Sequence, residues 1–181
     1  MIDVALGFVT EQLNAHLMDR LGGRERLAVL SPLLSAGSSP IPANNKLAIT
    51  VVRIGHEHPL RSGVTPTHDG MRPSVPPAPL NIEMLVSANF SADQYQDGLR
   101  LLSEAMTYFH QNPVLHRDRV EGMPEGLNKL GFEPMTLAAG ERHALWTALG
   151  ARYRPSTLYQ LRGVSLADGS DVPSVPNVEA L

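Results

Sequence analysis

The sequence predicts an α/β domain of the α+β kind, in which a mixed, mostly antiparallel sheet of four or five strands is flanked by about three helices. Two patterns carry this prediction. Apolar residues recur at helical spacing in residues 2–17, 91–109 and 141–149. β-branched residues or strict apolar–polar alternation, which are typical of strands, mark residues 46–58, 80–88 and 153–161.

The first predicted helix has one apolar face and a clear end. Gly22 and Gly23 follow its last turn, and glycine is the residue that most often ends a helix. Residues 27–34 are a short apolar run, which fits either a strand or a connector. The face of the helix consists of Ile2, Leu6, Val9, Leu13 and Leu17.

A proline-rich segment separates the first two predicted strands. Residues 46–58 predict a central strand, and residues 80–88 alternate as a second strand that pairs with it. Six prolines lie between Pro59 and Pro79, and so many missing N–H donors exclude a helix or a sheet. We therefore expect an arm at about residues 59–79.

The second long helix is predicted to begin at a capping box. Ser91 and Gln94 have the required spacing, and Phe90 and Tyr95 fit a hydrophobic staple around it. Its apolar stripe comprises Tyr95, Leu99, Leu102, Met106 and Phe109. Pro113 follows the helix, and residues 127–137 predict a further strand that Pro134 places at a sheet edge.

The stretch from Ala144 to Gly163 holds the only tryptophan and two of the four tyrosines. A helix over residues 141–149 ends at Gly150, and a period of two begins at Tyr153. The aromatic residues are thus expected to seal a corner between helix and sheet. The residues predicted to form the structural core are Tyr95, Leu99, Leu102, Phe109, Trp146, Tyr153 and Tyr159.

Composition excludes several classes of function. The chain of 181 residues has no cysteine, which removes thiol catalysis, thiolate metal sites and disulfides. Its net charge of −3 argues against a nucleic-acid surface. No long apolar run predicts a membrane helix, and no basic, apolar signal peptide is found at the amino end, so we expect the chain to be made and folded in the cytoplasm.

Histidines offer the one alternative of an enzymatic kind. On a strand, His56 and His58 would project from the same face, and His68 in the arm could be a third ligand of a small metal-dependent enzyme. Two histidines facing water at the end of a strand is the better interpretation, because a catalytic metal needs three well-placed ligands and supporting contacts. We therefore predict no catalytic residue, no metal and no cofactor.

The predicted domain covers residues 1–164, and an extended acidic tail covers residues 165–181. The charged residues of the tail are Asp168, Asp171 and Glu179, and few of its residues could enter a core. An arm and a tail that cannot fold alone are typical of proteins that grip neighbours in an assembly. Arg162 faces away from the Tyr159 side of its strand and is a candidate contact between subunits.

Three motifs, in order, resemble a known family. They are "MIDVALGFVTEQLNAHL" at the amino end, "PPAPLNIEMLVSANFSADQYQDGLRLLSEAMTYFHQNPV" in the middle and "LWTALGARYRPSTLYQLRGV" near the end. Together they resemble the cap family of extracellular contractile injection systems, the phage-tail-like particles of the antifeeding-prophage and virulence-cassette type. The resemblance covers residues 1–164, and the chain is shorter after Val164 than the longer members.

The resemblance implies a tail-terminator-like fold and a structural, non-enzymatic role. Such a protein is expected to form a homo-hexameric ring on the baseplate-distal end of the inner tube and to end the growth of tube and sheath. Its partners would be the tube and sheath proteins, with no nucleic acid and no membrane, and the particle would be assembled in the cytoplasm before any release. A general phage-tail completion or adaptor protein of similar shape is the other alternative.

Overall fold

The computed structural model describes residues 1–23, 25–33, 43–56 and 78–166, with the side chain of Leu166 excepted. In these ranges the chain forms three α-helices and one six-stranded sheet. The helices are α1 (Ile2–Leu21), α2 (Tyr95–Gln111) and α3 (Ala139–Ala148). The strands are β1 (Ala28–Leu30), β2 (Lys46–His56), β3 (Ala78–Asn89), β4 (Val114–His116), β5 (Lys129–Met135) and β6 (Ser156–Leu166).

The strands lie side by side in the order β1-β2-β3-β6-β5-β4. β1 is parallel to β2, and every other neighbouring pair is antiparallel. The predicted fold class is therefore confirmed, but the predicted number of strands, four or five, is too low. β1 lies within the run at residues 27–34 that fits either a strand or a connector, and the strand that was not predicted is β4, whose three residues are too few to show a period of two in the sequence.

The first face of the sheet carries the main core. The alternation predicted for β3 points five side chains to this face, all of them at most 5% exposed: Leu80, Ile82, Met84, Val86 and Ala88. α1 and α2 cover them, and the apolar face predicted for α1 is buried from Leu6 to Leu17. Burying apolar surface at this scale is the dominant favourable term in folding.

The second face carries a smaller cluster beneath α3. Trp146 is 5% exposed and packs with Leu85 and Leu158, whose side chains point away from α1 and α2. Tyr153 lies just before β6 and meets Trp146 edge-on, with ring centroids 5.5 Å apart. It remains 64% exposed, so its predicted place in the core is wrong. Because β6 begins only at Ser156, Tyr153 precedes the strand and lies at the edge of the small cluster.

Asn14 joins α1 to the outer edge of β1. Its Nδ2 donates to the Ala28 carbonyl at 2.8 Å, and its Oδ1 accepts from the N–H groups of Leu27 and Ala28 at 2.9 Å each. The side-chain amide thereby takes the hydrogen-bonding place that a further strand would take at Ala28. Asn14 is 1% exposed, so these bonds lie inside the protein.

The beginning of α2 differs from the prediction. Ser91 makes no side-chain capping bond to the helix, and a short 3-10 turn (Ala92–Gln94) precedes Tyr95. Phe90 packs on Gly98, where an added Cβ would lie 2.8 Å from the ring. Gly98 lies on the buried side of α2, whereas Tyr95 and Leu99 are 52% and 39% exposed. Their predicted place in the core is wrong, whereas Leu102 and Phe109 are buried.

Candidate assembly surface

Two buried tyrosines and two exposed aspartates among the described residues have shifted pKa values. Burial raises the pKa of Tyr108 to about 12. Burial also raises the pKa of Tyr159, and a hydrogen bond with Thr157 opposes the rise. Hydrogen bonds from the terminal amine and from Ser91 lower the pKa values of the exposed Asp3 and Asp93. Each shift moves the pKa of its group further from pH 7.

Of the three histidines weighed as metal ligands, His56 lies within the described residues, and His58 and His68 lie outside them. His56 is the exposed last residue of β2 and is in register with Leu80. In the parts of the chain that the structure describes, no three His, Asp or Glu side chains are grouped to hold a metal ion. Nothing in these parts brings His56 together with two further ligands.

A row of polar side chains crosses four strands on the second face of the sheet, beyond α3. The register places Arg53 beside Glu83, Glu83 beside Gln160, and Gln160 beside Glu133. Nη1 of Arg53 lies 3.4 Å from Oε1 of Glu83. We call these four residues the polar row. One cation, two carboxylates and an amide lie in this row, and such polar groups suit a surface that recognises a partner by charge and hydrogen bonding.

Arg162 lies beside the polar row. Its Nη2 is 3.1 Å from Oε2 of Glu133 and donates to Oε1 of Gln160 at 3.3 Å. The side chain is 48% exposed. The position agrees with the prediction that it faces away from Tyr159, and it leaves the guanidinium at the surface, within reach of a neighbouring molecule.

An apolar groove of about 400 Å³ opens on the first face, between the second half of α2 and β5. The rings of Phe109, Phe132 and Tyr159 form its base, with the centroid of Phe109 4.9 Å from that of Phe132 and 4.6 Å from that of Tyr159. Met106 stands at the rim and is 47% exposed, and Pro134 lines the β5 side. We call this feature the aromatic groove.

The arm and the tail leave the sheet at the same end. His56, where β2 ends, is in register with Leu80, and Ala78, where β3 begins, is in register with Leu166, where β6 ends. The predicted arm and tail lie outside the described residues, apart from Ala78, Pro79 and the last two residues of β6. Their attachment points are therefore neighbours at one end of the sheet.

Sequence reasoning missed the groove and the polar row. The groove unites residues from α2, β5 and β6, and no local pattern reveals that they meet. The polar row could be predicted in part, since Glu83, Gln160 and Glu133 are polar residues in strands whose residues alternate between apolar and polar. Without the register, however, their alignment across neighbouring strands could not be predicted.

None of the described helices combines the length and apolarity that crossing a membrane requires. Two solved structures share the fold of this chain. One is the sheath/tube terminator of the extracellular contractile injection system PVC in its extended state, with 20% identity and a TM-score of 0.52. The other is the cap of the anti-feeding prophage, a tube-terminating cap, with 15% identity and a TM-score of 0.52.

Each comparison covers 93% of this chain, and the chain spans 60% and 58% of the length of the two proteins. At this identity the likeness establishes the fold. The Pvc16 N-terminal domain model matches residues 7–180, and the chain belongs to this family. The family resemblance read from the three motifs is thus confirmed. No curated protein sequence matches the chain.

Proposed function

We propose that this protein is the structural cap of a contractile injection system, which binds the baseplate-distal end of the inner tube and ends the growth of tube and sheath. The observation that carries the proposal is the family match over residues 7–180. The fold supports it, because a sheath/tube terminator and a tube-terminating cap have the same fold. The role is passive binding and requires no reacting group.

The mechanism follows from how a tube grows. Tube rings stack through heterologous contacts, in which each ring offers a face that the next one binds. A cap that binds the last ring and offers no tube-like face ends the series. We propose that the partners are the inner tube and sheath proteins of the same particle. Assembly in the bacterial cytoplasm precedes any release.

A six-fold tube end is matched by a ring of six identical subunits. A closed ring needs two different surfaces on each subunit, one for each neighbour. The two outer edges of the sheet supply exposed apolar side chains for this purpose. Leu30 and Ile54, 43% and 50% exposed, lie on the β1–β2 side, and Val114, 42% exposed, lies on β4. We propose Arg162 as an additional contact between subunits.

Deleting the gene tests the capping role directly. Particles from the deletion strain are expected to show a broad distribution of tube and sheath lengths in negative-stain images, and complementation is expected to restore a uniform length. Uniform lengths without the gene would overturn the proposal. A catalytic activity of the isolated chain would contradict the purely structural role.

The ring is tested by native mass measurement of the purified chain, with and without tube. Six copies of 19.6 kDa give about 118 kDa. Leu30→Glu is expected to reduce the hexamer, since it places a charge in an apolar contact. Leu99→Glu, on α2, is the matched control and should leave the hexamer unchanged. A chain that stays monomeric even on tube ends contradicts the ring.

The division of the chain into a capping domain at residues 1–164, an arm at about 59–79 and a tail at 165–181 remains part of this proposal. The polar row and the neighbouring attachment points of arm and tail support it, since they lie together beyond α3. We propose that the arm contacts the tube or an adjacent cap subunit. Unchanged hydrogen exchange of residues 61–78 between monomer and ring would contradict this.

A further inference from the structure

The aromatic groove has the chemistry of a site for an extended, proline-rich segment. Its base consists of three aromatic rings, and Phe109, Phe132 and Tyr159 are each at most 5% exposed although they line the open space. Grooves lined by aromatic rings recognise polyproline II segments, because such a segment is stiff and loses little conformational entropy on binding. A segment bound in this conformation needs no backbone hydrogen bonds from a strand of the protein.

The walls of the groove disfavour the other common peptide ligand, an added β-strand. Pro134 lies on the groove side of β5 and has no N–H group to donate to an incoming strand. The N–H of Phe132 is already used by the carbonyl of Pro113 at 2.8 Å. Side-chain packing therefore remains the main means by which this groove can bind a chain.

The protein carries a segment of the matching kind after β6. Residues 172–181 read VPSVPNVEAL, and an apolar residue stands at every third position. Because polyproline II has three residues per turn, a period of three places these residues along one edge. The residues on this edge are Val172, Val175, Val178 and Leu181, and a proline follows each of the first two.

The segment is long enough to reach the groove. β6 ends at Leu166, seven residues beyond Tyr159, which is about 23 Å at the rise of a strand. Residues 167–175 can extend over about 30 Å. They begin ADGSD, and Asp168–Gly169 is a pair that favours a turn, so the chain can reverse its direction after the strand.

From these observations we propose that the aromatic groove binds residues 172–181 of this chain, with the valine edge of the segment against Phe109, Phe132 and Tyr159. The tail then has a defined docking site on the domain itself, which differs from the extended tail expected from the sequence. The proposal does not rest on the capping function, since it concerns only groove and tail.

Disulfide cross-linking of the full chain tests the proposal, and the absence of native cysteine makes it selective. The test pair combines Thr107→Cys, at a residue that lines the groove, with Asn177→Cys, at a residue off the valine edge. Thr147→Cys on α3 is the matched control, since Thr107 and Thr147 are both helical residues whose hydroxyls donate four residues back at 2.9 Å. A disulfide requires Cα atoms within about 7 Å.

Under mild oxidation the 107–177 pair is expected to cross-link at least about tenfold faster than the 147–177 pair, because docking raises the effective concentration. A monomer-mass product that contains the 107–177 linked peptide identifies the chain's own tail in the groove. If that linked peptide is found only in dimer-mass products, a second copy's tail occupies the groove and docking within one chain is overturned. Equal rates for the two pairs would overturn the proposal. The mass of the ring is measured on the same samples, so a failed ring and a failed docking are distinguished.

Two further variants separate docking from folding. Val175→Asp is expected to reduce the 107–177 rate to that of the control pair, whereas Ser174→Asp, with the same added charge off the valine edge, should leave it unchanged. Met106→Glu at the rim should also reduce the rate, and Leu99→Glu, two turns earlier on α2, should not. If Val175→Asp and Ser174→Asp cross-link equally fast, the valine edge is not what binds.

Discussion

On one face of the sheet α1 and α2 bury a continuous apolar layer, whereas on the other face α3 covers only one end. β6 contributes to both. Leu161 is 0% exposed in the large cluster, and Leu158 is 5% exposed in the small one beneath Trp146. Past Leu158 the second face continues into the polar row. Most of the buried apolar residues therefore lie on the first face, and the second face is polar beyond α3.

The largest effect is expected from truncating the two leucines of β6 separately. Leu161→Ala should lower the free energy of unfolding by about 3–4 kcal/mol, because it leaves a cavity in the large cluster. Leu158→Ala should cost about 2 kcal/mol, since the small cluster is closer to the surface and can relax. Urea denaturation followed by circular dichroism measures both. Equal losses would show that the faces contribute alike.

Gly163→Ala is expected to break the strand pairing that serves both faces. Gly163 has φ 97°, and an added Cβ would collide with the Lys129 carbonyl oxygen. We expect a loss of about 2–3 kcal/mol from the strained backbone and the displaced strand. Gly131→Ala is the control, since no atom lies within 4 Å of its added Cβ. Similar denaturation midpoints for the two variants would contradict this explanation.

Asn14→Ala should lower the free energy of unfolding by about 2 kcal/mol. The substitution removes the hydrogen bonds that Asn14 makes with the buried N–H and carbonyl groups of Ala28. The matched control is Asn112→Ala. Asn112 Nδ2 donates to Tyr108 in a half-buried position at the end of α2, so its loss should cost less than about 1 kcal/mol. Thermal or urea unfolding of both variants compares them, and the reverse order would exclude this role of Asn14.

The first face should also respond to high pH. Burial holds the pKa of Tyr108 at about 12 in the folded protein, above its ordinary value of 10.0. The folded state therefore retains the proton longer, so stability is fully present below pH 10 and falls by about 1 kcal/mol per pH unit between pH 10 and 12. Tyr108→Phe should reduce this slope. An unchanged slope in the variant would assign the loss to other groups.

The smallest effect is expected on the second face. Arg53→Gln removes the ion pair with Glu83, but the Arg53 side chain is 73% exposed. Exposed pairs of this kind contribute little, so the free energy of unfolding should change by about 0.5 kcal/mol or less. A loss above 1 kcal/mol in urea denaturation would show that the polar row is a structural element.

Elements with a strong period could be predicted from the sequence. The alternation of residues 80–88 identified β3, and the helical spacing from Leu6 to Leu17 identified the buried side of α1. The stripe of α2 was misplaced because large apolar residues were counted as buried. The buried residues of α2 include Gly98 and Ala105, and the Phe90 ring packs closely on Gly98 because glycine has no side chain.

The surface was harder to predict than the core. β1 and β4 are three-residue strands that depend on their neighbours, and the aromatic groove unites Met106, Phe132 and Tyr159 across three elements. Such features arise from tertiary contacts, and no local pattern encodes them. The family resemblance, in contrast, could be read from three ordered motifs, since it depends on the sequence itself.

The bonds between Asn14 and Ala28 have a consequence for copies of this protein crowded together. An uncovered edge strand presents unpaired N–H and C=O groups, and identical molecules can pair through these groups and extend the sheet without limit. Here the side-chain amide occupies the outward backbone groups of Ala28, so indiscriminate sheet extension is blocked at this position. At Ala28, a neighbouring molecule must therefore make contact through side chains and not through backbone pairing.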